Sequence, residues 1–250
     1  INIYNWENDI GKYLRTKGNR SLEIYDRKLL NVLSDKYYQG WIDENITLDT
    51  MEKFGIKFYD RLQQIVITIY DENNNLVGTH CRNLNPQLID KGMKYDHLRL
   101  LNGKELKFSM GSVLYGLNVN KGNIEYTKTV YIFESPKSVL QCENILELNN
   151  SIGIFGLNMQ KSKIEMLLDL GVENFIICLD KQYRSMLDEN GQETKEFEKY
   201  KKIVYKIADK LLPYGKVEVI YDDIDLLEYK DSPSDKGKDI FYKLKREIIE

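Results

Sequence analysis

The 250-residue chain combines 42% hydrophobic with 30% charged residues, which is ordinary for a globular protein with a core in one or two domains. Its net charge of −3 argues against a general nucleic-acid coat protein, and no apolar run approaches the ~18 residues of a membrane span. The chain starts with Ile1 rather than Met and has no signal-peptide pattern, so we expect a cytoplasmic protein, here as a fragment lacking an N-terminal portion.

The first part of the chain predicts helices. Residues 1–40 are polar and tyrosine-rich, with leucines at helix spacing. Residues 46–55 predict a short helix, with Thr47 as the N-cap and Gly55 as the C-terminal stop.

A β-hairpin and a basic segment follow. The apolar runs 65–70 and 76–80 are separated by Asp71-Glu-Asn-Asn-Asn75, a turn-forming loop. Residues 82–107 then carry six basic and three acidic side chains. Residues 1–128 have 18 basic and 16 acidic residues, whereas the remainder has 18 and 23. A basic segment facing an acidic half of the chain would suit a metal-dependent polymerase, because one side would bind phosphates and the other cations. A solvated surface of mixed charge explains the counts equally well.

The cysteines and histidines predict no zinc site. Cys81, Cys142 and Cys178 lie in apolar or strand-like stretches without a C-x-x-C pair, which is typical of buried reduced thiols. His80 stands beside Cys81, but no second pair completes a tetrahedral site.

From residue 127 onward, strands alternate with helices, which predicts a parallel sheet. The strands are predicted at 129–133, 152–155, 175–179 and 217–221, and the helices at 136–148, 159–170, 194–212 and 235–249. Two of the apolar runs end on carboxylates, Glu134 and Asp180. Ligands of open α/β sheets bind at the carboxyl ends of the strands, and Mg²⁺ prefers oxygen ligands. The pattern therefore predicts a magnesium site and phosphoryl chemistry on nucleotides.

A series of motifs between residues 41 and 245 resembles the DnaG-type DNA primase core with its TOPRIM domain. The helix at 46–56, the hairpin at 59–84, the K-Y pair Lys94-Tyr95 and the L-Y-G-L segment 114–117 occur in the expected order. They are followed by segments similar to three TOPRIM motifs, at 130–139, 177–180 and 229–237.

The resemblance implies an α/β fold with two parts. A TOPRIM-like, mostly parallel sheet flanked by helices, at 125–235, would follow a mixed α+β primase-core subdomain at 1–124. Residues 236–250 would form a C-terminal helix that packs on the core.

The resemblance also implies an activity, the synthesis of short RNA primers on single-stranded DNA during phage-type DNA replication. The substrates would be ribonucleoside triphosphates, the cofactor would be Mg²⁺ or Mn²⁺, and a replicative helicase would be a partner. Carried over by position, Glu134 and Asp180 would be catalytic metal ligands, with Asp231 and Asp235 as the late acidic pair. The template and nucleotide groove would contain Arg82, Lys94 and Tyr95, to which we add Arg61 from the same hairpin.

Two further side chains each allow two interpretations from their positions in the sequence. Asp222 follows a predicted strand and is either a metal ligand or a turn residue. Lys137 opens the helix after Glu134, so its charge either reaches a phosphate or is solvated.

Several positions depart from the family pattern. Gln182 replaces the second carboxylate of D-x-D, and Lys181 replaces a glycine and would compete electrostatically with a bound cation. Met110 replaces a basic residue, and arginines expected near Gln63 and Gln64 are absent. Either an acid among Asp222, Asp223 and Asp225 supplies the missing charge, or the site is weakened.

These departures leave two alternatives to the polymerase open. One is a TOPRIM nuclease, which would cleave DNA with Mg²⁺. The other is a catalytically weak relative that binds nucleic acid or acts as a replication scaffold.

Overall fold

A computed structural model describes residues 22–245 as two four-stranded sheets with flanking helices. The helical tendency predicted for residues 1–21 and the end of the last helix, 246–250, lie outside the described residues. The first sheet is antiparallel and the second is parallel, so the α/β fold class is confirmed.

The antiparallel sheet contains the predicted hairpin. Its strands, in spatial as in chain order, are β1 (Ile56–Tyr59), β2 (Gln64–Tyr70), β3 (Leu76–Asn83) and β4 (Tyr95–Asp96). Strands β2 and β3 pair antiparallel around the predicted turn, where Asp71 accepts hydrogen bonds from the backbone N–H groups of Asn73 and Asn75 at 2.9 and 2.8 Å. Strand β1 was not predicted, because its four residues are too few to show an alternating pattern.

Short helices surround this sheet. They are α1 (Gln39–Asp43), α2 (Leu48–Lys53) and α3 (Pro86–Asp90), with 3₁₀ turns at Arg27–Val32 and Met110–Ser112. Helix α2 confirms the predicted caps, since the Thr47 hydroxyl accepts the Thr50 N–H at 3.2 Å and Gly55 ends the helix at φ +68°. A side chain at Gly55 would also meet the Thr68 hydroxyl at 2.6 Å, so glycine is required there.

Helix α4 (Leu117–Thr127) joins the two sheets and was not predicted. Glycine is a poor helix former, so Gly122 predicts a break in the chain, but the residue lies inside the helix. The boundary expected between residues 124 and 125 also falls within α4. Just before the helix, Tyr115 forms an antiparallel bridge with Gly153 of the second sheet.

The predicted parallel sheet is confirmed. Its strands are β5 (Thr129–Phe133), β6 (Ser151–Gly153), β7 (Asn174–Cys178) and β8 (Lys216–Val219). They are arranged in the order β6-β5-β7-β8, and every adjacent pair is parallel. The carboxyl ends of β5, β7 and β8 therefore lie side by side.

Helices cover this sheet. They are α5 (Pro136–Gln141), α6 (Lys161–Asp169), α7 (Lys195–Leu211) and α8 (Gly237–Lys245), with a 3₁₀ turn at Cys142–Asn144. Helix α5 ends well before the predicted residue 148. The Asn149 side chain donates to the Val139 carbonyl at 3.2 Å and to Glu143 at 2.9 Å, so the chain turns back after α5.

One apolar core connects the two sheets. It contains Ile67 from β2, Phe133 from β5, Ile176 from β7 and Phe241 from α8, all buried. The Phe241 ring lies 6.4 Å from that of Phe133, so the last helix packs on the core. Burial of each such side chain stabilises the fold by ~1.5–3 kcal/mol, and this shared core fixes one sheet relative to the other.

Two further features bear on the sequence predictions. Cys81, Cys142 and Cys178 are free and buried, as expected. Within residues 22–245, no helix is both long and apolar enough to cross a membrane.

Candidate active site

Glu134 and Asp180 meet at the carboxyl edge of the parallel sheet. Strands β5 and β7 are neighbours in a register that aligns Phe133 with Cys178, so the acids that follow them emerge side by side. After burial, the negative charge of Glu134 is the next largest cause of the raised pKa of Asp180, so the two acids interact. We call Glu134 and Asp180 the carboxylate pair.

Asp180 is the most perturbed of these acids. Burial, followed by the negative charges of Glu134 and Asp235, raises the pKa of Asp180 to about 8, against a lowering effect of Lys230 and Lys137. The Oδ1 atom of Asp180 is buried and has no hydrogen-bond partner among residues 22–245. A buried carboxylate oxygen without a donor is well suited to receive a cation.

Glu134 is also partly buried, and its pKa is shifted in the same direction as that of Asp180. Burial raises the pKa of Glu134, and the positive charge of Lys230 opposes that rise. The Gln182 amide donates to Oε2 of Glu134 at 3.3 Å, and the Glu134 carbonyl accepts the Gly156 N–H at 3.1 Å. Gln182, which departs from the D-x-D pattern expected from the resemblance, therefore lies next to Glu134.

Asp235 lies near the carboxylate pair but forms an ion pair with Lys137. Its Oδ1 atom is 2.8 Å from the Lys137 ammonium, which is also 2.9 Å from Glu44. Burial alone would raise the pKa of Asp235, but Lys137 and hydrogen bonds from Ser232 and Gln141 lower it. The ion pair also raises the pKa of Lys137 despite burial.

Asp231 is engaged in the loop between β8 and α8. Its carboxylate accepts the Glu228 N–H at 2.9 Å and lies 3.3 Å from the Lys236 ammonium. Its carbonyl accepts the Lys181 N–H at 2.8 Å. These contacts hold Asp231 as part of the loop scaffold.

Asp222 forms a buried ion pair with Lys181. The two side chains are 2.8 Å apart, and Asp222 also accepts the N–H groups of Leu226 and Leu227 at 2.9 and 2.8 Å. Although burial opposes the shift, Lys181 and these donors lower the pKa of Asp222. Asp222 thus has the contacts of a turn residue.

The same ion pair corrects the expectation for Lys181. Its ammonium also contacts Asp225 and the Leu227 carbonyl, both at 2.8 Å. Because its charge is neutralised there, Lys181 does not compete for a cation at the carboxylate pair.

The antiparallel sheet supplies basic and aromatic groups near this edge. Arg82 and Tyr95 are cross-strand partners in β3 and β4, with 3.5 Å between the Arg82 guanidinium and the Tyr95 hydroxyl. Burial and the charges of Arg82 and Lys137 lower the pKa of Lys94, whereas Asp180 and Glu44 oppose that lowering. We call Arg82, Lys94 and Tyr95 the basic wall. The structure brings one member of this wall, Lys94, within electrostatic reach of Asp180.

Aromatic rings support the basic wall from behind. The Tyr95 ring stacks on His80 with centroids 4.4 Å apart, and Phe108 and Phe155 meet the edges of His80 at 6.2 and 5.7 Å. Burial, and secondarily His97, lowers the pKa of His80 to about 4, so His80 is neutral at physiological pH.

Arg61 does not join this group. It is exposed in the turn between β1 and β2. In the described part of the chain, no hydrogen bond or ion pair connects Arg61 with the carboxylate pair.

The residue that sequence reasoning missed is Lys230. Its ammonium contacts the Gln182 side-chain oxygen and acts electrostatically on both members of the carboxylate pair. Its only signal was its position beside Asp231 in the third motif.

Two acids at this edge have the chemistry of ligands for a divalent cation. They are Glu134 and Asp180, whose Oδ1 has no hydrogen-bond partner among the described residues, and the negative charge of Asp235 acts on Asp180. Among residues 22–245, no three His, Cys, Asp or Glu side chains converge closely enough to form a ready metal site.

Comparison with known proteins relates this geometry to a fold. No family model matches the chain. A prophage-derived uncharacterized protein of Bacillus subtilis (strain 168), YorJ, is 37% identical over 254 residues, which cover 99% of this chain and 66% of that protein.

Solved structures with a similar fold include two primase structures. The zinc binding and RNA polymerase domains of Aquifex aeolicus primase match with a TM-score of 0.59 and 17% identity, over 82% of this chain and 54% of theirs. A DnaG primase catalytic domain bound to single-stranded DNA matches with a TM-score of 0.57 and 15% identity, over 83% and 70%. The chain thus has the fold of DnaG-type primase catalytic cores, and it spans about half of the Aquifex structure.

Proposed function

We propose that this chain is the polymerase core of a primase, which synthesises short RNA primers on single-stranded DNA. The observation that carries the proposal is the carboxylate pair, with an unpartnered buried oxygen on Asp180 and with Lys94 of the basic wall within electrostatic reach of Asp180. The primase-core fold supports the same reaction class.

The reaction is a nucleotidyl transfer. The 3′-hydroxyl oxygen of the growing primer attacks the α-phosphorus of a ribonucleoside triphosphate, and the bond to the bridging oxygen of the β-phosphate breaks. Pyrophosphate leaves, and the hydroxyl proton passes to solvent. A divalent cation, Mg²⁺ or Mn²⁺, supplies charge neutralisation on the phosphates when bound, and Glu134 and Asp180 would hold it.

The protein contributes position and charge. The Lys94 ammonium and the Arg82 guanidinium would contact phosphates of the template or the incoming nucleotide. The Tyr95 ring, held against His80, offers an aromatic face for a template base. These groups come from a different sheet than the carboxylate pair, so the substrates would bind between the two sheets.

The remaining predicted residues have supporting roles. We place Asp235 at a water-mediated distance from the cation, oriented by Lys137. We assign Asp222 and Asp231 to the structure of the loop that follows β8, because their own partners hold them. Arg61 would at most contact template outside the site.

The biological setting follows from the same proposal. Primer synthesis on replicating DNA places the protein in the host cytoplasm, with a replicative helicase as a partner. The prophage origin of the Bacillus subtilis relative supports a role in phage-type replication.

The test is primer synthesis by the 250-residue chain on single-stranded DNA, with labelled ribonucleotides and Mg²⁺ or Mn²⁺. We expect short labelled RNA that disappears with chelator and in the Glu134→Gln variant. Cleavage of labelled DNA without RNA products would instead indicate a TOPRIM nuclease.

A second function, that of a nucleic-acid-binding scaffold, is favoured by one observation. Gln182 replaces an expected carboxylate, which weakens the site for cations. A scaffold would bind single-stranded DNA but show neither primer synthesis nor saturable Mn²⁺ binding in calorimetry.

A further inference from the structure

The outer face of α7 carries four lysines in a row, which we call the lysine row. They are Lys195, Lys199, Lys202 and Lys206, and all four are exposed. At about 100° per residue, their spacing places them within an arc of about 60° on the helix. This arc lies opposite the buried face formed by Phe197, Tyr200 and Val204. Within residues 22–245, none of the four side chains forms a hydrogen bond or an ion pair, so their charges are free to meet a ligand.

The acids of α7 do not cancel this charge. Glu198 and Asp209 are exposed beside the lysine row, but neither forms an ion pair with it in the described part of the chain. By contrast, Lys201 on the flank of the same helix pairs with Glu193. Four lysines against two acids leave an excess of positive charge on the outer face of α7.

The lysine row starts near the catalytic edge of the parallel sheet. The Phe197 ring in the first turns of α7 lies 6.4 Å from the ring of Tyr221, which follows β8 at its carboxyl end. The helix then runs back to Leu211, just before β8 begins. At 1.5 Å per residue, the row extends over roughly 16 Å. It therefore leads away from the edge that carries Glu134 and Asp180.

An exposed aromatic ring connects the carboxylate pair with the start of α7. The Tyr229 ring is 42% exposed, and its centroid lies 4.4 Å from the Arg184 guanidinium carbon and 5.2 Å from the Lys230 ammonium. Arg184 pairs with Glu196 in the first turn of α7. Lys230 contacts Gln182, which lies beside the carboxylate pair. A continuous surface of cations and an aromatic ring thus extends from the candidate site to the lysine row.

The chemistry of this surface fits a single-stranded nucleic acid. Ammonium groups in a row can each contact a backbone phosphate. The Tyr229 ring, and the 59% exposed Tyr205 ring beside the row, offer faces on which unpaired bases can stack. The bases of a duplex are covered by their neighbours, so a duplex would use the lysines but not the rings.

We propose that the lysine row and Tyr229 form a second binding surface for the single-stranded DNA template, on the parallel-sheet side of the molecule. The identity of the strand as template rests on the proposed function, to which the inference adds the path of the DNA away from the carboxylate pair. The template would contact the basic wall on one side of the site and the lysine row on the other.

The test is the salt dependence of DNA binding by the full 250-residue chain. Fluorescence anisotropy would use a labelled oligothymidine long enough to span the basic wall and the lysine row. Lys199→Gln/Lys202→Gln keeps good helix formers at two exposed positions and should fold, as checked by circular dichroism. The slope of log affinity against log salt should decrease in magnitude by about 1.4, because each lost phosphate contact contributes about 0.7.

The aromatic part of the surface has its own variant. Tyr229→Leu should raise the Kd for the oligothymidine about tenfold, because a stacked base is lost, and should leave the salt slope unchanged. The affinity for a duplex should be unaffected by Tyr229→Leu. An unchanged Kd for oligothymidine would overturn the role of Tyr229.

The matched control is Lys238→Gln/Lys243→Gln, which removes two exposed lysines of α8 and changes the net charge equally. Helix α8 packs through Phe241 on the sheet face that carries Phe133, whereas α7 packs through Phe197 on the face that carries Ile132. The control should keep the wild-type slope.

Three results would overturn the inference. They are an unchanged slope in Lys199→Gln/Lys202→Gln, an equal decrease in the control, and a loss of affinity confined to an RNA–DNA hybrid. Primer synthesis by the wild-type chain tests the proposed function separately. A chain that makes no primers but shows the expected change in slope would overturn the proposed function and leave the lysine row as a surface for single-stranded DNA.

Discussion

An aspartate follows each of the neighbouring strands β7 and β8, but the two aspartates differ in their hydrogen-bond partners and in the direction of their pKa shifts. Asp180 follows β7 and has a buried oxygen without a hydrogen-bond donor, and its pKa is raised to about 8 by burial and neighbouring acids. Asp222 follows β8 and is only 2% exposed, yet Lys181 and two backbone N–H groups satisfy it and lower its pKa.

The difference shows that position after a strand does not decide how an acid is held, because the hydrogen-bond partners of Asp180 and Asp222 differ. Lys181 is adjacent to Asp180 in the chain, but its ammonium contacts Asp222 instead. An unsatisfied buried carboxylate destabilises a fold, which supports the proposal that Asp180 holds a cation.

The largest expected effect is on activity at Asp180. Asp180→Asn should reduce primer synthesis by about 10³-fold, equivalent to about 4 kcal/mol in the activation barrier, because a cation ligand is lost. The fold should remain intact, as measured by circular dichroism, and Glu134→Gln should behave in the same way. Unchanged synthesis rates in both variants would remove the mechanism.

At Asp222 the expected effect is on stability. Lys181→Met leaves Asp222 buried without its cation and should lower the free energy of unfolding by about 3 kcal/mol in urea titrations. Lys181→Met/Asp222→Leu should recover part of that loss. Lys236→Met, at an exposed lysine of the same loop, should leave the urea midpoint nearly unchanged. Equal midpoints for Lys181→Met and Lys236→Met would show that the buried pair is unimportant.

The contributions of Asp180 and Asp222 to stability should also depend on pH in opposite directions. The unfolded Asp180 carboxyl loses its proton near 3.8, whereas the folded one keeps it to about 8, so its contribution to stability is full below 3.8 and lost as pH rises toward 8. Asp180→Asn should therefore gain on the order of 2 kcal/mol relative to wild type between pH 5 and 8. The lowered pKa of Asp222 makes its contribution present above 3.8 and lost as pH falls further.

Urea titrations across this pH range would measure how the free energy of unfolding changes with pH for Asp180 and for Asp222. A wild-type stability that falls no faster with pH than that of Asp180→Asn would contradict the environment described for Asp180.

The smallest effect concerns the basic wall. Lys94→Gln should weaken single-stranded DNA binding only a few-fold at moderate salt, because one phosphate contact is lost among several. The slope of log affinity against log salt should decrease in magnitude by about 0.7. Fluorescence anisotropy over a salt series measures this slope, and an unchanged slope would place Lys94 outside the DNA path.

Local patterns in the sequence predicted much of the fold. Strand β5 was predicted at its observed residues, and the cap at Thr47 was correct, because both depend on neighbours in the chain. The α4 helix was missed, since Gly122 suggested a break within it and Gly116 lay in the L-Y-G-L segment. Gly116 instead starts the helix in a left-handed conformation at φ +80°.

The site was harder to predict because its partners are distant in sequence. Glu134 and Asp180 could be proposed from the strand ends and from the family resemblance. The pairing of Lys181 with Asp222 spans 41 residues, and the contact of Lys230 with Gln182 spans 48. No local sequence pattern predicts either contact. The ammonium of Lys181 was therefore expected beside the bound cation, whereas it pairs with Asp222.

The most direct test of the central claim, that Glu134 and Asp180 together hold a catalytic cation, is the Mn²⁺ affinity of three variants measured by electron paramagnetic resonance. Glu134→Gln and Asp180→Asn should each raise the Kd by at least about tenfold, since each removes one of two ligands. Asp222→Asn, measured at a temperature where it is folded, should bind like wild type. Loss of binding in Asp222→Asn alone, with the other two variants unaffected, would contradict the account.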